Sequence, residues 1–64
     1  MTYATGETPR ISDNVKHTSS GRTGIVVQVQ NPIGIGGRGQ VTVVWDGGGG
    51  VAVSAANEYE LLER

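Results

Sequence analysis

Two valine-rich segments separated by a glycine-rich loop occupy the middle of this 64-residue chain. Gly24 precedes the first segment, 25–30 (IVVQVQ), and the second, 41–45 (VTVVW), is followed by Asp46-Gly47-Gly48. β-branched residues favour extended backbone, and glycine favours turns. The pattern therefore predicts a β-hairpin. In so short a chain, a hairpin of this length must organise the whole fold.

The size of the chain limits how its fold can be stabilised. A domain of about 60 residues buries only about 60% of its unfolded surface and is marginally stable without a disulfide, a metal or a partner subunit. The chain has no cysteine and a single histidine, His17, which excludes disulfides and thiolate or histidine-rich metal sites. We therefore predict no metal and no cofactor, and expect stability to come from a closed barrel or from self-association.

Alternation of apolar residues predicts an all-β domain over residues 10–64, preceded by a flexible arm over residues 1–9. Val15 is expected to point inward, as is one face each of the second, third and fourth strands: Ile25, Val27 and Val29; Val41, Val43 and Trp45; and Val51 and Val53. A single 3₁₀ turn is predicted at 55–58. The predicted strands are 14–17, 22–30, 40–45, 51–54 and 59–62.

Five short strands with one 3₁₀ turn before the last indicate a small SH3-like barrel. Closing the sheet on itself removes exposed strand edges. A five-stranded OB-type barrel is the alternative, but it usually carries a longer helix. We therefore expect the SH3-like architecture.

Four segments carry a family resemblance: 13–17 (DNVKH), 21–26 (GRTGIV), 43–47 (VVWDG) and 60–62 (ELL). With them, the chain from Asp13 to Leu62 resembles small bacterial and phage proteins with SH3-like barrels. The turn and glycine before the valine strand also resemble a KOW element, which occurs in ribosomal proteins and transcription elongation factors. This resemblance implies a fold, and it raises nucleic-acid binding as an alternative function.

The chain is also similar in architecture to the plasmid-encoded dihydrofolate reductase family, tetramers of SH3-like subunits whose active pore is lined by a Val-Gln-Ile-Tyr strand. The corresponding segment here is 51–54 (VAVS), so Ala52 and Ser54 replace the ligand-binding glutamine and tyrosine. The family's binding groups are absent, and its activity is not expected here. A small oligomeric enzyme with a site at a symmetry axis remains the third alternative.

Net charge is −1, too near neutral to argue for nucleic acid or a membrane on charge alone. No apolar run approaches the roughly 20 residues that span a bilayer, and the start of the chain lacks the features of a secretion signal. These features predict a cytoplasmic protein without membrane contact.

Two motifs invite a chemical interpretation. Residues 34–39 (GIGGRG) match G-x-G-x-x-G, but a strand rather than a helix is expected to follow, so a hairpin loop is the better interpretation. His17 has Ser19 and Ser20 nearby, which turn chemistry already explains. We predict no catalytic residue and no enzymatic activity.

The outer face of the predicted sheet breaks the usual polar pattern. Val26 and Val44 fall opposite the expected core face, Ala52 is a further candidate for that face, and Ile33 and Ile35 lie on the loop. Exposed apolar stripes indicate contact surfaces. We predict a non-enzymatic module that binds a protein partner or itself, with contacts at Val26, Val44, Ile33, Ile35 and Arg38. The nucleic-acid alternative would use Lys16, His17, Arg22 and Arg38.

Overall fold

The structure is a computed structural model that describes residues 1–32, 37 and 39–64. It is all-β, with five antiparallel strands in one sheet and two isolated 3₁₀ turns. The strands are β1 (Asn14–His17), β2 (Thr23–Gln30), β3 (Gln40–Trp45), β4 (Val51–Ser54) and β5 (Tyr59–Glu63), with 3₁₀ turns at Asp46–Gly48 and Ala56–Glu58.

The strand order is β4-β3-β2-β1-β5, so β4 and β5 form the two edges. The predicted strands agree with the observed ones to within one residue at each end, and the predicted 3₁₀ turn before the last strand is present. The sheet is open rather than closed on itself. The prediction of an all-β fold is confirmed, and the closed cylinder expected from the sequence is not observed.

An irregularity in β2 reverses part of the predicted core face. Val26 pairs with Val43 and Gln28 with Thr42, so the register shifts between them and Val27 has no partner of its own. A bulge of this kind switches which face the following residues occupy. Gly24 and Val26 face inward before it, and Val29 is partly buried after it. The prediction that Val26 points outward is wrong, because its side chain is fully buried.

The same register corrects the faces of Ile25, Val27 and β4. Ile25 and Val27 were expected inside, but both are exposed. Val51 pairs with Val44 and therefore lies on the outer face with it, and Val53 follows two residues later on the same side. Ala52 pairs with Val43 and shares the inner face.

The core consists of small side chains and two tyrosines. It comprises Tyr3, Val15, Val26, Val41, Val43, Ala56 and Tyr59, with Val29, Trp45 and Leu61 packed against it. The predicted inward positions of Val15, Val41 and Val43 agree with this core. Trp45 is only partly buried.

Within residues 1–9, expected to form a flexible arm, residues 4 and 5 are hydrogen-bonded to β5. The backbone N–H of Ala4 donates to the Tyr59 carbonyl at 2.8 Å, and the Leu61 N–H donates to Thr5 Oγ1 at 3.1 Å. Tyr3 is buried in the core. These contacts hold the segment against the outer edge of β5.

Candidate interaction surface

A row of aliphatic side chains crosses the outer face of β2, β3 and β4. Ile25 lies directly opposite Val44, and Val44 lies directly opposite Val51. All three are exposed, and Val51 keeps 64% of its surface accessible. Because directly opposite residues share a face, the three side chains form one continuous apolar stripe.

A second group extends this stripe along the strands. Val53 is opposite Thr42 and is 58% exposed, and Val27 is exposed at the bulge. The outer faces of β3 and β4 carry no charged residue, because neither strand contains one. We call Ile25, Val27, Val44, Val51 and Val53 the outer apolar patch. Contiguous apolar surface of this kind is typical of an interaction site, whereas isolated exposed aliphatic residues are ordinary.

The alternation of hydrogen-bonded and non-hydrogen-bonded pairs along the β3–β4 hairpin determines which N–H and C=O groups of β4 point away from β3. The Trp45 N–H donates to the Gly50 carbonyl at 2.9 Å, so these opposite residues form a hydrogen-bonded pair. Such pairs alternate with non-hydrogen-bonded pairs along an antiparallel ladder. Val44–Val51 and Thr42–Val53 are therefore non-hydrogen-bonded pairs. Because of this, the backbone N–H and C=O groups of Val51 and Val53 point away from β3.

The two edges of the sheet differ in how they are covered. The β5 edge is hydrogen-bonded by residues 4 and 5, and β5 carries Glu60 and Glu63. Charges and covering segments are the usual protection of a strand edge. Between described residues, no hydrogen bond outside the β3–β4 ladder reaches the backbone of Val51, Ala52 or Val53. The β4 edge therefore carries apolar side chains and open main-chain groups together.

Of the predicted contact residues, Val44 is at the centre of the outer apolar patch. Val26 is buried on the opposite face and cannot contribute to it. Ile33, Ile35 and Arg38 lie outside the described residues. Most of the G-x-G-x-x-G segment does so too, and the element that follows it is strand β3, as expected.

Of the predicted basic residues, Lys16, His17 and Arg22 share one end of the sheet but not one face. Lys16 lies opposite Glu60 and Thr23, whereas His17 lies opposite the core residue Tyr59. The guanidinium carbon of Arg22 lies 4.7 Å from the centre of the Trp45 ring, and its Nη2 donates to the Gly49 carbonyl at 3.3 Å. Lys16 therefore projects to the face opposite His17, and Arg22 is engaged within the chain.

A serine, a histidine and a carboxylate meet at this end. The Ser20 N–H donates to His17 Nδ1 at 3.3 Å, and the Ser20 hydroxyl is at 3.3 Å from the same atom. His17 Nε2 is 3.4 Å from Glu58 Oε1. Since Nδ1 accepts the backbone N–H, Nε2 carries the ring proton and faces the carboxylate.

This arrangement closes the 18–21 turn and ties it to the second 3₁₀ turn. Ser20 Oγ is itself 3.3 Å from the Arg22 N–H that donates to it, and Thr18 N–H donates to the Glu58 carbonyl at 2.9 Å. Glu58 Oε2 accepts the Ala55 N–H at 3.3 Å. Ser20 Oγ, His17 Nδ1 and Glu58 Oε2 each accept a backbone N–H, as turn chemistry requires, whereas, among the described residues, His17 Nε2 and Glu58 Oε1 contact only each other.

Elsewhere, an open cleft of about 700 Å³ is lined by Met1, Thr2, Pro32, Gly39 and residues 55–58. Within residues 1–32, 37 and 39–64, no group of three or more histidine, cysteine, aspartate or glutamate residues is placed to hold a metal ion. No helix in those ranges is long and apolar enough to cross a membrane.

Sequence reasoning missed Ile25, Val27, Val51 and Val53 as surface residues. The available signal was Val44, which was correctly placed outside, because its partners in a ladder must share its face. The 46–50 turn does not fix which residue of β4 faces Val44, so the partner could not be identified from the sequence.

No family model, curated protein or solved structure matches this chain.

Proposed function

We propose that this protein is a non-enzymatic interaction module and that its outer apolar patch docks onto a second copy of the chain. The observation that carries this proposal is the Ile25–Val44–Val51 row, which is continuous, aliphatic and exposed. Burying aliphatic surface is the main favourable term in protein association. A monomer would leave this row in water.

The absence of charge in the patch favours a second copy as its occupant. A foreign partner is usually selected by complementary charge or by a shaped pocket. The rows of β3 and β4 offer aliphatic side chains and the neutral Thr42 instead. A neutral apolar surface is complementary to itself, and a two-fold dimer uses the same patch on both subunits. Self-association would also supply the stability that a 64-residue chain lacks.

We further propose that the fold is of the SH3-like kind. The strand order β4-β3-β2-β1-β5 and the 3₁₀ turn before β5 support this assignment. A side-chain hydrogen bond of 2.7 Å between Ser54 Oγ and the Tyr59 hydroxyl brings the end of β4 close to the start of β5. That contact is what a nearly closed barrel requires at the junction of its two edge strands.

Sedimentation equilibrium over a wide concentration range tests the proposed function with two matched variants. Val51 is 64% exposed within the patch, and Ile11 is 65% exposed outside it. We expect the native chain to self-associate, Val51→Lys to weaken the association at least about tenfold because the lysine must be desolvated, and Ile11→Lys to associate like the native chain. A native chain that stays monomeric at millimolar concentration, or equal effects of the two substitutions, would contradict the proposal.

A further inference from the structure

The edge strand β4 is suited to pair with itself. We infer that two copies associate edge to edge, with β4 of each copy antiparallel to β4 of the other across a two-fold axis. This inference rests on the proposed function and names Val51 and Val53, at the β4 end of the patch, as the part that meets the second copy; Ile25 and Val44 stay on the outer surface of the joined sheets. It would extend the sheet across the dimer and pair the main-chain N–H and C=O groups of β4 that have no hydrogen-bond partner among the described residues.

The backbone supports this mode because β4 presents a matched set of donors and acceptors. Val51 and Val53 both direct N–H and C=O groups away from β3, as the Trp45–Gly50 hydrogen bond requires. In an antiparallel pair, two opposite residues of the hydrogen-bonded kind exchange two bonds. Placing Val51 opposite Val53 of the second copy, and Val53 opposite its Val51, uses all the outward-pointing groups of both residues.

That requirement fixes the register. Ala52 then lies on the two-fold axis opposite Ala52 of the second copy, as a non-hydrogen-bonded pair. If the pairing slipped by one residue, the outward-pointing N–H and C=O groups of one β4 strand would face residues of the other β4 strand whose N–H and C=O groups are already hydrogen-bonded to β3. A slip of two residues would leave one valine on each strand without its partner.

The side chains agree with this register. Val51 of one copy would stand beside Val53 of the other on the outer face, so the Ile25–Val44–Val51 row would continue into the second sheet. β4 contains no charged residue and no proline, the features that usually keep an edge strand from pairing. The β5 edge, by contrast, is covered by residues 4 and 5 and carries two glutamates.

A cysteine placed on the proposed axis tests the register directly. The native chain has no cysteine, so Ala52→Cys introduces a single thiol. Opposite residues in a non-hydrogen-bonded pair have Cα atoms about 4.5 Å apart, within the range that a disulfide spans. We expect Ala52→Cys to form a disulfide-linked dimer under mild oxidation, faster than a control Leu62→Cys, although the Leu62 position on β5 is the more exposed of the two.

A backbone modification tests the hydrogen bonds without changing a side chain. The chain is short enough for total synthesis, and N-methylation of Val53 removes an outward donor while leaving the β3 ladder intact. We expect the dimer to weaken at least about tenfold relative to the unmodified synthetic protein. Circular dichroism of both proteins establishes that the fold is retained.

The results separate this inference from the proposed function. If the native chain dimerises but N-methylation has no effect and Ala52→Cys links no faster than Leu62→Cys, edge pairing is wrong and another use of the patch remains. If the native chain is monomeric at millimolar concentration, both proposals fail. If cross-linking is selective and N-methylation weakens the dimer, edge pairing is supported.

Discussion

The Tyr3 hydroxyl donates a hydrogen bond of 2.7 Å to Oδ2 of Asp13, and both side chains are buried. The same carboxylate accepts the Arg10 backbone N–H at 2.9 Å, and its Oδ1 lies 3.3 Å from Nε of Arg64. One buried acidic group thus joins the first residues of the chain, the entry to β1 and the C-terminus.

Removing the Tyr3 hydroxyl should destabilise the protein. In Tyr3→Phe the aromatic ring still fills the core, but the hydrogen bond to a charged acceptor is lost, which costs about 1.5–3 kcal/mol in the free energy of unfolding. Tyr59→Phe removes a neutral hydrogen bond to Ser54 and should cost only about 0.5–1.5 kcal/mol. Urea unfolding of both variants checks the order, and a larger loss in Tyr59→Phe would contradict it.

The same contact predicts a loss of stability at alkaline pH. Burial, the hydrogen bond to Asp13 and the nearby carboxylate charge raise the pKa of Tyr3 above its ordinary value of about 10. The folded state then holds this proton more tightly than the unfolded state, so the stabilisation is complete below about pH 10 and is lost as the pH rises toward the folded pKa.

Tyr3→Phe should remove that part of the alkaline decline. Urea unfolding at pH about 8 and about 11 measures it for the native chain and the variant. The difference in unfolding free energy between the two proteins should shrink at the higher pH. A difference that grows with pH would mean that ionisation of Tyr3 is easier in the folded state.

Gly24 should tolerate no side chain. A Cβ at this position would lie 2.6 Å from Val43 Cγ1 and 2.6 Å from the Val44 carbonyl oxygen. The conflict is with backbone in the central β2–β3 pair, where shifts are costly. We expect Gly24→Ala to lower the unfolding free energy by about 1–3 kcal/mol, and Gln28→Ala, on an exposed position of the same strand, to change it by less than about 0.5 kcal/mol. Thermal unfolding compares them, and equal effects would exclude close approach as the role of Gly24.

The Arg22–Trp45 stack should be visible in fluorescence, because Trp45 is the single tryptophan. Arg22→Lys retains the charge but loses the planar stacking group. We expect a change in Trp45 emission and a loss of about 0.5–1 kcal/mol in unfolding free energy. Lys16→Arg, a conservative change on the other face, should alter neither quantity. Unchanged emission in Arg22→Lys would indicate that the stack is absent in solution.

The sequence predicted the strands well because valine-rich runs and glycine turns are local signals. It was harder to predict which face of the sheet each side chain occupies, since this depends on the register between strands. The bulge after Val26 cannot be read from a run of alternating apolar residues in which both faces carry valine. The contacts among Tyr3, Asp13 and Arg64 join residues that are distant in sequence, so no local sequence pattern predicts them. In the patch, only Val44 was identified correctly. Its partners Ile25 and Val51 were missed, because strand pairing determines which residues lie opposite Val44.

Amide hydrogen exchange at Val53, followed by NMR as the protein is diluted, tests the central claim most directly. The Ala52 N–H belongs to the β3 ladder and serves as the internal reference, since it should stay protected at every concentration. We predict that the Val53 amide is protected at high concentration and exchanges rapidly on dilution, as the second copy dissociates. Exchange at Val53 that is fast at all concentrations would contradict self-association through β4.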